Sequence, residues 1–160
     1  MTSSQISDIK IVNLAEYPQW IKIVSKRYFD EWSKGDWWIL DSVIYRTTHS
    51  IKKKGVPQTF VAVWKWEKPI WAVSLWFGDL STRPDLTPWL SCLIVHPDYR
   101  KTGVWTLLQH HILKIARKLG HKYIYLCTKW EGYYERTGWE FMEIAPYRTG
   151  EKVRLYKHKI

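Results

Sequence analysis

The chain has 160 residues, enough for one ordinary domain and too few for two comfortable cores. A hydrophobic share of 46% beside 25% charged residues excludes a disordered chain, and no uncharged run approaches the roughly 18 residues of a membrane span. Lys+Arg 25 against Asp+Glu 15 gives a formal charge of +10, so an anionic partner is expected.

The charge is uneven. Residues 1–51 hold six Lys/Arg and six Asp/Glu, so the whole excess lies beyond them. Rings are abundant, with 12 Trp, 10 Tyr and 4 Phe. At roughly 150–250 Å² buried per ring, they can supply most of a core. Met1-Thr2-Ser3-Ser4-Gln5 lacks the charge and apolar stretch of a signal peptide. Cys92 and Cys127 are too few for a disulfide framework and read as free thiols in a reducing compartment, most simply the cytoplasm.

Ile9-Lys10-Ile11-Val12 suits a short first strand. Asn13 then leads into a helix with apolar positions Tyr17, Trp20, Ile21, Val24, Tyr28 and Trp32, in steps of three and four. Asp41 opens a second helical pattern through Val43, Ile44 and Ile51, closed by Lys52-Lys53-Lys54 and Gly55. From Thr59 the period changes to that of strands. Thr59–Lys65 and Ile70–Trp76 read as a hairpin around Trp66-Glu67-Lys68-Pro69. Asp79 to Pro88 is a loop, and Trp89–His96 is a near-continuous apolar run suited to a strand covered on both faces.

Gly103 starts the clearest helix, with Val104, Leu107, Leu108, Ile112, Ile115 and Leu119 in one stripe and Gly120 as the stop. Tyr123–Thr128 is the next strand, so strand, helix and strand form a βαβ unit with parallel strands. A short helix near Glu131–Arg136 and a closing pair of strands, Trp139–Pro146 and Val153–His158, complete the order βααβββαβαββ. This is an α/β or α+β fold with a mixed sheet, expected as a single domain over residues 1–160.

Two stretches carry chemistry. After the central strand, Arg100-Lys101-Thr102-Gly103-Val104-Trp105 places a glycine and two cations where a loop becomes a helix. The unpaired N–H groups and positive dipole end of a first helical turn suit a phosphate, although many strand–Gly–helix turns bind nothing. Downstream, Tyr134 stands four residues before Gly138-Trp139, an arrangement that leads into a strand.

Together these residues resemble the GNAT acetyltransferase superfamily. Its phosphate loop reads Arg/Gln-x-x-Gly-x-Gly/Ala, here Arg100-x-x-Gly103-x-Trp105, and its later signature Tyr-x-x-x-Gly-Phe/Trp is here Tyr134 to Trp139. The element order matches over about residues 8–159. Val56–Ala62 and Arg83–Leu90 further resemble a poorly characterised bacterial subgroup of that superfamily.

The resemblance implies a GNAT-like mixed sheet with a splay between its fourth and fifth strands, and an N-acetyltransferase moving acetyl directly from acetyl-CoA to an amine. It assigns the backbone of Leu93, Ile94 and Val95 to the pantetheine arm and Arg100, Lys101, Thr102, Gly103, Val104 and Trp105 to the pyrophosphate. Thr128 would stand in for the family's frequent Asn as a polar partner of the pantetheine. Trp105 departs from the family's Gly or Ala, and a large indole there either crowds the anion or stacks beside it. Tyr134 would face the leaving thiolate. A thiol near pKa 8.5 is a stronger acid than a phenol near 10, so full proton transfer is uphill by roughly 2 kcal/mol and a hydrogen bond is favoured.

The general base is not named by the sequence. Asp79 and Asp85 flank the loop where an acceptor would arrive, although carboxylates of surface loops are commonly solvated turn residues. His49 and His96 are lesser candidates, and adjacent helical residues His110-His111 point about 100° apart, poorly placed as joint metal ligands. No metal is expected. Cys92 reads as structural, since a thiol in an apolar strand is inert. The acceptor reads as a small-molecule amine, with Tyr28, Trp32, Trp37, Trp38 and Trp89 near it. A protein or peptide amine, or a non-catalytic binding module of the same fold, is the alternative. No membrane partner is expected and no nucleic-acid motif occurs. A homodimer stays open.

Overall fold

The computed structural model describes residues 8–33, 39–65, 68–97, 100 and 102–160. Among them, seven strands form one sheet: β1 (Ile9–Asn13), β2 (Gln58–Trp64), β3 (Lys68–Trp76), β4 (Trp89–Val95), β5 (Tyr123–Thr128), β6 (Glu140–Pro146) and β7 (Lys152–Lys159). Their order is β1-β2-β3-β4-β5-β7-β6. Neighbours run antiparallel except β4 and β5, which are parallel and share the single register pair Trp89–Tyr125. Beyond that pair the two strands part. The mixed sheet, the βαβ unit and the splay therefore follow the sequence reading.

Among the described residues, three α-helices accompany the sheet: α1 (Ile21–Tyr28), α2 (Leu40–His49) and α3 (Val104–Lys118). Burial on both faces explains the long apolar runs of the central strands. On one face, Val104, Leu108, Ile112 and Ala116 of α3 pack against Trp71, Val73, Leu93 and Ile124. On the other, Ile21, Val24, Tyr28 and Val43 of α1 and α2 cover Val61, Val63, Ala72 and Ile94. Phe60 and Ala62 join the first layer while Val61 and Val63 join the second, the alternation a pleated strand imposes. A third cluster, with Leu80, Trp89, Ala145, Val153 and Leu155, closes the β6–β7 end.

Strand β4 breaks the alternation. Ala72 faces Ile94 and Ser74 faces Ser91, so two steps along β3 match three along β4. Cys92 lies in the extra step with φ +51°, a β-bulge in the left-handed region. Such a conformation in a non-glycine residue costs about 1–3 kcal/mol and persists only where the surroundings impose it. Leu90 and Leu93, three apart, consequently enter the same core layer.

Two helical expectations change. Residues 13–32 do not form one helix: 3₁₀ turns at Leu14–Glu16 and Pro18–Trp20 precede α1, and a π-helical stretch, Phe29–Ser33, follows it. Pro18 restricts Tyr17 and supplies no N–H, while the Asn13 side chain accepts from the Ala15 N–H at 2.8 Å and caps the first turn alone. The expected helix at Glu131–Arg136 is a single 3₁₀ turn, Glu135–Thr137. The hairpin tip Trp66-Glu67 lies outside the described residues. Among the described residues, no helix is long and apolar enough to cross a membrane.

Ile112 has no exposed surface. Ile112→Ala should therefore destabilise the fold by about 2–5 kcal/mol, read as a lower urea midpoint, whereas truncating exposed Tyr45 should shift it by less than about 0.5 kcal/mol.

Candidate active site

Where β4 and β5 diverge, a cavity of about 750 Å³ opens through the sheet. Its walls bring together Leu93, Ile94 and Val95 of β4, Thr128 at the end of β5, and Tyr134 beyond it. Arg100, Thr102 and Trp105 line the α3 side, and Asp79 lines the far end. Residues spread from 28 to 153 thus share one enclosure. Cys92 and Leu93 fall outside the β3 register because of the bulge, and β5 pairs with β4 only at Trp89.

Tyr134 is held from several sides. Its carbonyl accepts from the Thr137 N–H at 2.9 Å, the Thr137 hydroxyl at 2.9 Å and the Trp139 N–H at 3.3 Å. Gln109, buried in α3, accepts from the Trp139 indole at 2.9 Å and the Thr137 hydroxyl at 3.3 Å. Gly138 turns the chain with φ +88°, where a Cβ would sit 3.2 Å from the His158 Nε2. Burial raises the Tyr134 phenol well above its usual range, reinforced by Tyr133, so it stays protonated near neutral pH.

At the α3 side, Gly103 takes φ +84° at the helix N-terminus and Val104 turns its side chain into the core. Neither is part of the cavity wall. Arg100 reaches Glu31 at 3.8 Å and donates to the Val95 carbonyl at 3.3 Å, bridging the cavity mouth. Lys101 lies outside the described residues. The Trp105 ring is folded back against Trp130 at 5.6 Å, Tyr133 at 5.7 Å and Tyr134 at 6.2 Å. Its buried Nε1–H has no hydrogen-bond partner, an orphan donor in the cavity wall.

The two candidate carboxylates separate sharply. Asp79 is half-buried in the cavity, and desolvation raises its pKa although Arg46, Ser91, Cys127 and Arg148 pull the other way. Asp85 is exposed, paired to Arg83 at 2.7 Å, and that guanidinium, which also pairs with Glu143, lowers its pKa. It does not line the cavity. His49 bonds the Tyr45 carbonyl on exposed α2, and His96 follows β4; neither reaches the cavity wall. Among the described residues, no group of three His, Cys, Asp or Glu could hold a metal ion.

The family model for the acetyltransferase (GNAT) family matches residues 17–139. The chain belongs to the GNAT acetyltransferase family. Solved GNAT structures share its fold at low identity. An aminoglycoside 6'-N-acetyltransferase complexed with coenzyme A is 14% identical with a TM-score of 0.73, covering 94% of this chain and 96% of that one. A GNAT-family acetyltransferase of Desulfovibrio desulfuricans is 13% identical with a TM-score of 0.69, covering 94% and 98%. The NatC complex bound to Gag peptide and CoA is 15% identical with a TM-score of 0.68, covering 96% and 99%. A comparison with curated proteins gives no match.

Trp105 stands where the GNAT pattern has Gly or Ala. A helical side chain leans toward the turn before it, yet this ring finds its partners in the 130–134 segment, leaving the backbone N–H groups of the first turn in place. Thr128 accepts from the Trp130 N–H at 3.2 Å and lines the cavity. Of the rings expected near an acceptor, Tyr28 and Trp32 line the cavity, whereas Trp89 is fully buried, its indole donating to the Leu86 carbonyl at 2.7 Å. Trp37 and Trp38 lie outside the described residues. Sequence reading missed Arg46, Tyr147 and Arg148, which line the Asp79 end. No local motif marks them, because α2 and the β6–β7 turn meet only in the folded chain.

Both thiols sit in the cavity wall, and the Cys127 Sγ lies 3.9 Å from the Asp79 Oδ2. Burial, then the Asp79 charge, raises both thiol pKa values. Native protein at pH 7 should therefore be alkylated by iodoacetamide at less than about one-tenth the rate of the unfolded chain, as counted by mass spectrometry. Equal rates would show an activated thiol.

Proposed function

We propose that the chain is an acetyl-CoA-dependent N-acetyltransferase that moves acetyl directly to the amine of a small molecule. The observation that carries this reading is the single cavity shared by the opened edge of β4, the Tyr134 ring and the Asp79 carboxyl. A side pocket of about 460 Å³ adjoins it beyond Asp79, a volume suited to a small acceptor. The residues present fit the cofactor. The parted β4 edge is able to bond an extended amide chain, the Trp105 Nε1–H lacks a partner, and glycine at 103 keeps the α3 N-terminus open to a phosphate.

Bound acetyl-CoA supplies an activated thioester; the chain supplies position and proton control. Leu93, Ile94 and Val95 present backbone groups to the pantetheine, with Thr128 on the facing strand. Arg100, Thr102 and Trp105 stand on the pyrophosphate side, where cations and the backbone N–H groups of the first α3 turn after Gly103 meet negative charge. The Leu93 N–H, displaced by the bulge, donates to the thioester oxygen and stabilises charge that grows there. Asp79 takes a proton from the ammonium of the acceptor, directly or through water. Its desolvation suits that task, since a base with a raised pKa accepts a proton more readily. Tyr134 donates a hydrogen bond to the departing sulfur. Its phenol is too weak an acid to surrender the proton outright, and burial weakens it further.

Acetyl-CoA should raise the Tm of the chain in a concentration-dependent manner, by mass action on the folded state; a flat Tm would contradict the assignment. Tyr134→Phe should lower kcat about 10- to 1000-fold while the acetyl-CoA shift persists. Asp79 must be ionised to act, and its pKa is raised, so kcat should fall as pH drops through a limb lying above the ordinary carboxylate value of about 4. Asp79→Asn should lower kcat about 100-fold and abolish that limb; an unaltered pH profile in this variant would remove Asp79 from the role.

A further inference from the structure

A row of hydroxyls crosses an otherwise apolar part of the sheet. Thr59 on β2 stands opposite Ser74 on β3, and Ser74 stands opposite Ser91 on β4. All three are buried, Thr59 and Ser74 with no exposed surface. The Ser74 hydroxyl lies 2.9 Å from that of Thr59 and 3.3 Å from the phenol of Tyr28, the last residue of α1. Ser91 lines the cavity and is close enough to Asp79 to act on its ionisation. Packing alone does not ask for hydroxyls here: Val61, Val63 and Ala72 fill the neighbouring places in the same layer.

The chain of hydroxyls has a direction. Each carries one proton, and among the described residues Thr59, Ser74 and Tyr28 have no further hydrogen-bond partner. Running from Tyr28 toward Thr59, the chain would leave the Thr59 proton without an acceptor in a fully buried place, at its whole desolvation cost. Running from Thr59 through Ser74 to Tyr28, it satisfies both buried protons and leaves the phenol proton unpaired. Thr59 and Ser74 are not part of the cavity wall, whereas Tyr28 is. The chain is thus closed at Thr59 and open at the cavity. Bonds in series polarise one another, which strengthens the last donor.

The setting keeps that donor in place. Burial, then the neighbouring Cys92, raises the Tyr28 pKa well above its usual range, so the phenol stays protonated. Trp32, in the π-helical stretch after α1, packs on the Tyr28 ring with centroids 5.7 Å apart. Tyr28 and Asp79 both stand near the thiol of Cys92, the bulged residue of β4. A hydrogen-bond donor and a carboxyl therefore share the place where an acceptor meets the thioester. An ammonium suits the carboxyl, and the phenol calls for an oxygen. An acceptor without one would leave the donor unpaired as water is displaced, the cost by which polar sites reject incomplete analogues.

We infer that Tyr28 is a specificity-determining residue whose phenol donates a hydrogen bond to an oxygen of the acceptor while the amine is presented to Asp79. The acceptor is then an amine with a hydroxyl, carbonyl or carboxylate oxygen close to its amino group, rather than a plain alkylamine. The inference rests on the acetyltransferase reading and narrows it to a substrate class.

The test uses the full chain and acetyl-CoA, following CoA release with a thiol reagent. The acceptors are leucinol, leucinamide, leucine and isopentylamine, which share one carbon skeleton and differ in the oxygen function. At least one oxygen-bearing member should show a higher kcat/KM than isopentylamine, and its identity tells which oxygen is used. Tyr28→Phe removes the hydroxyl and keeps the ring. It should lower kcat/KM for that member about 3- to 10-fold more than for isopentylamine, the range of a neutral hydrogen bond, and further still for a carboxylate. The acetyl-CoA shift in Tm should persist in the variant. Amine basicity differs among the acceptors but not between parent and variant, so the double comparison isolates the oxygen, and a role in packing alone would lower all members alike. Equal losses, a parent chain that favours isopentylamine, or turnover of no oxygen-bearing member overturns the inference; with the acetyl-CoA shift intact, the transferase reading stands. Where Tyr28→Phe fails to fold, the preference of the parent chain decides. No acetyl-CoA shift in the parent chain overturns both.

Discussion

The parting of β4 from β5 after one register pair is the constraint on which the rest depends. Strands that stayed paired would consume the β4 backbone in a ladder and leave no space through the sheet. The bulge at Cys92 contributes from the other side, shifting Leu93 out of the β3 register. Its left-handed backbone is tolerated because the strand is clamped between two core layers. Leu90 and Leu93 are anchored in one and Ile94 in the other. The surrounding core thus maintains a costly local geometry at the point where the chemistry would occur.

Burial then sets the character of each group along the opened strand. The same desolvation acts on a phenol, a carboxyl and two thiols, always favouring the neutral form. The consequences differ with the chemistry. A neutral phenol is a competent hydrogen-bond donor, a carboxyl with a raised pKa is a better base, and a neutral thiol is inert. The burial that keeps the Tyr134 phenol protonated and raises the Asp79 carboxyl thus also silences Cys92 and Cys127. The polar network of Gln109, Thr137 and Trp139 holds the Tyr134 backbone, and Tyr134 lines the cavity.

Much of this was legible before the fold was known. The α3 stripe, the apolar run of β4 and the Gly103 junction located the βαβ unit, and Tyr134 with Gly138-Trp139 located the segment beyond β5. These signals are local: periodicity, a glycine with positive φ, an aromatic at a set spacing. The first helix was over-read because its apolar steps of three and four continue across Pro18, which periodicity does not register. The bulge left no mark in the sequence, since in a strand covered on both faces the apolar run continues whether or not the alternation breaks.

The candidate base marks the limit of such reading. Asp79 and Asp85 are six positions apart on one loop and look equivalent as sequence, yet one enters the cavity and the other is neutralised by Arg83 at the surface. Their difference comes from long-range contacts: Arg83 reaches Glu143 on β6, while Arg46 and Arg148 approach Asp79 from α2 and a distant turn. By itself, then, the sequence determined the family, the strands and the βαβ unit, all signals that depend on periodicity or near-neighbour spacing. Tertiary structure alone decided which carboxylate is desolvated, where the Trp105 ring goes and which arginines line the cavity with Asp79. Desolvation and charge pairing depend on what lies within a few ångströms in space, and that proximity is created by folding.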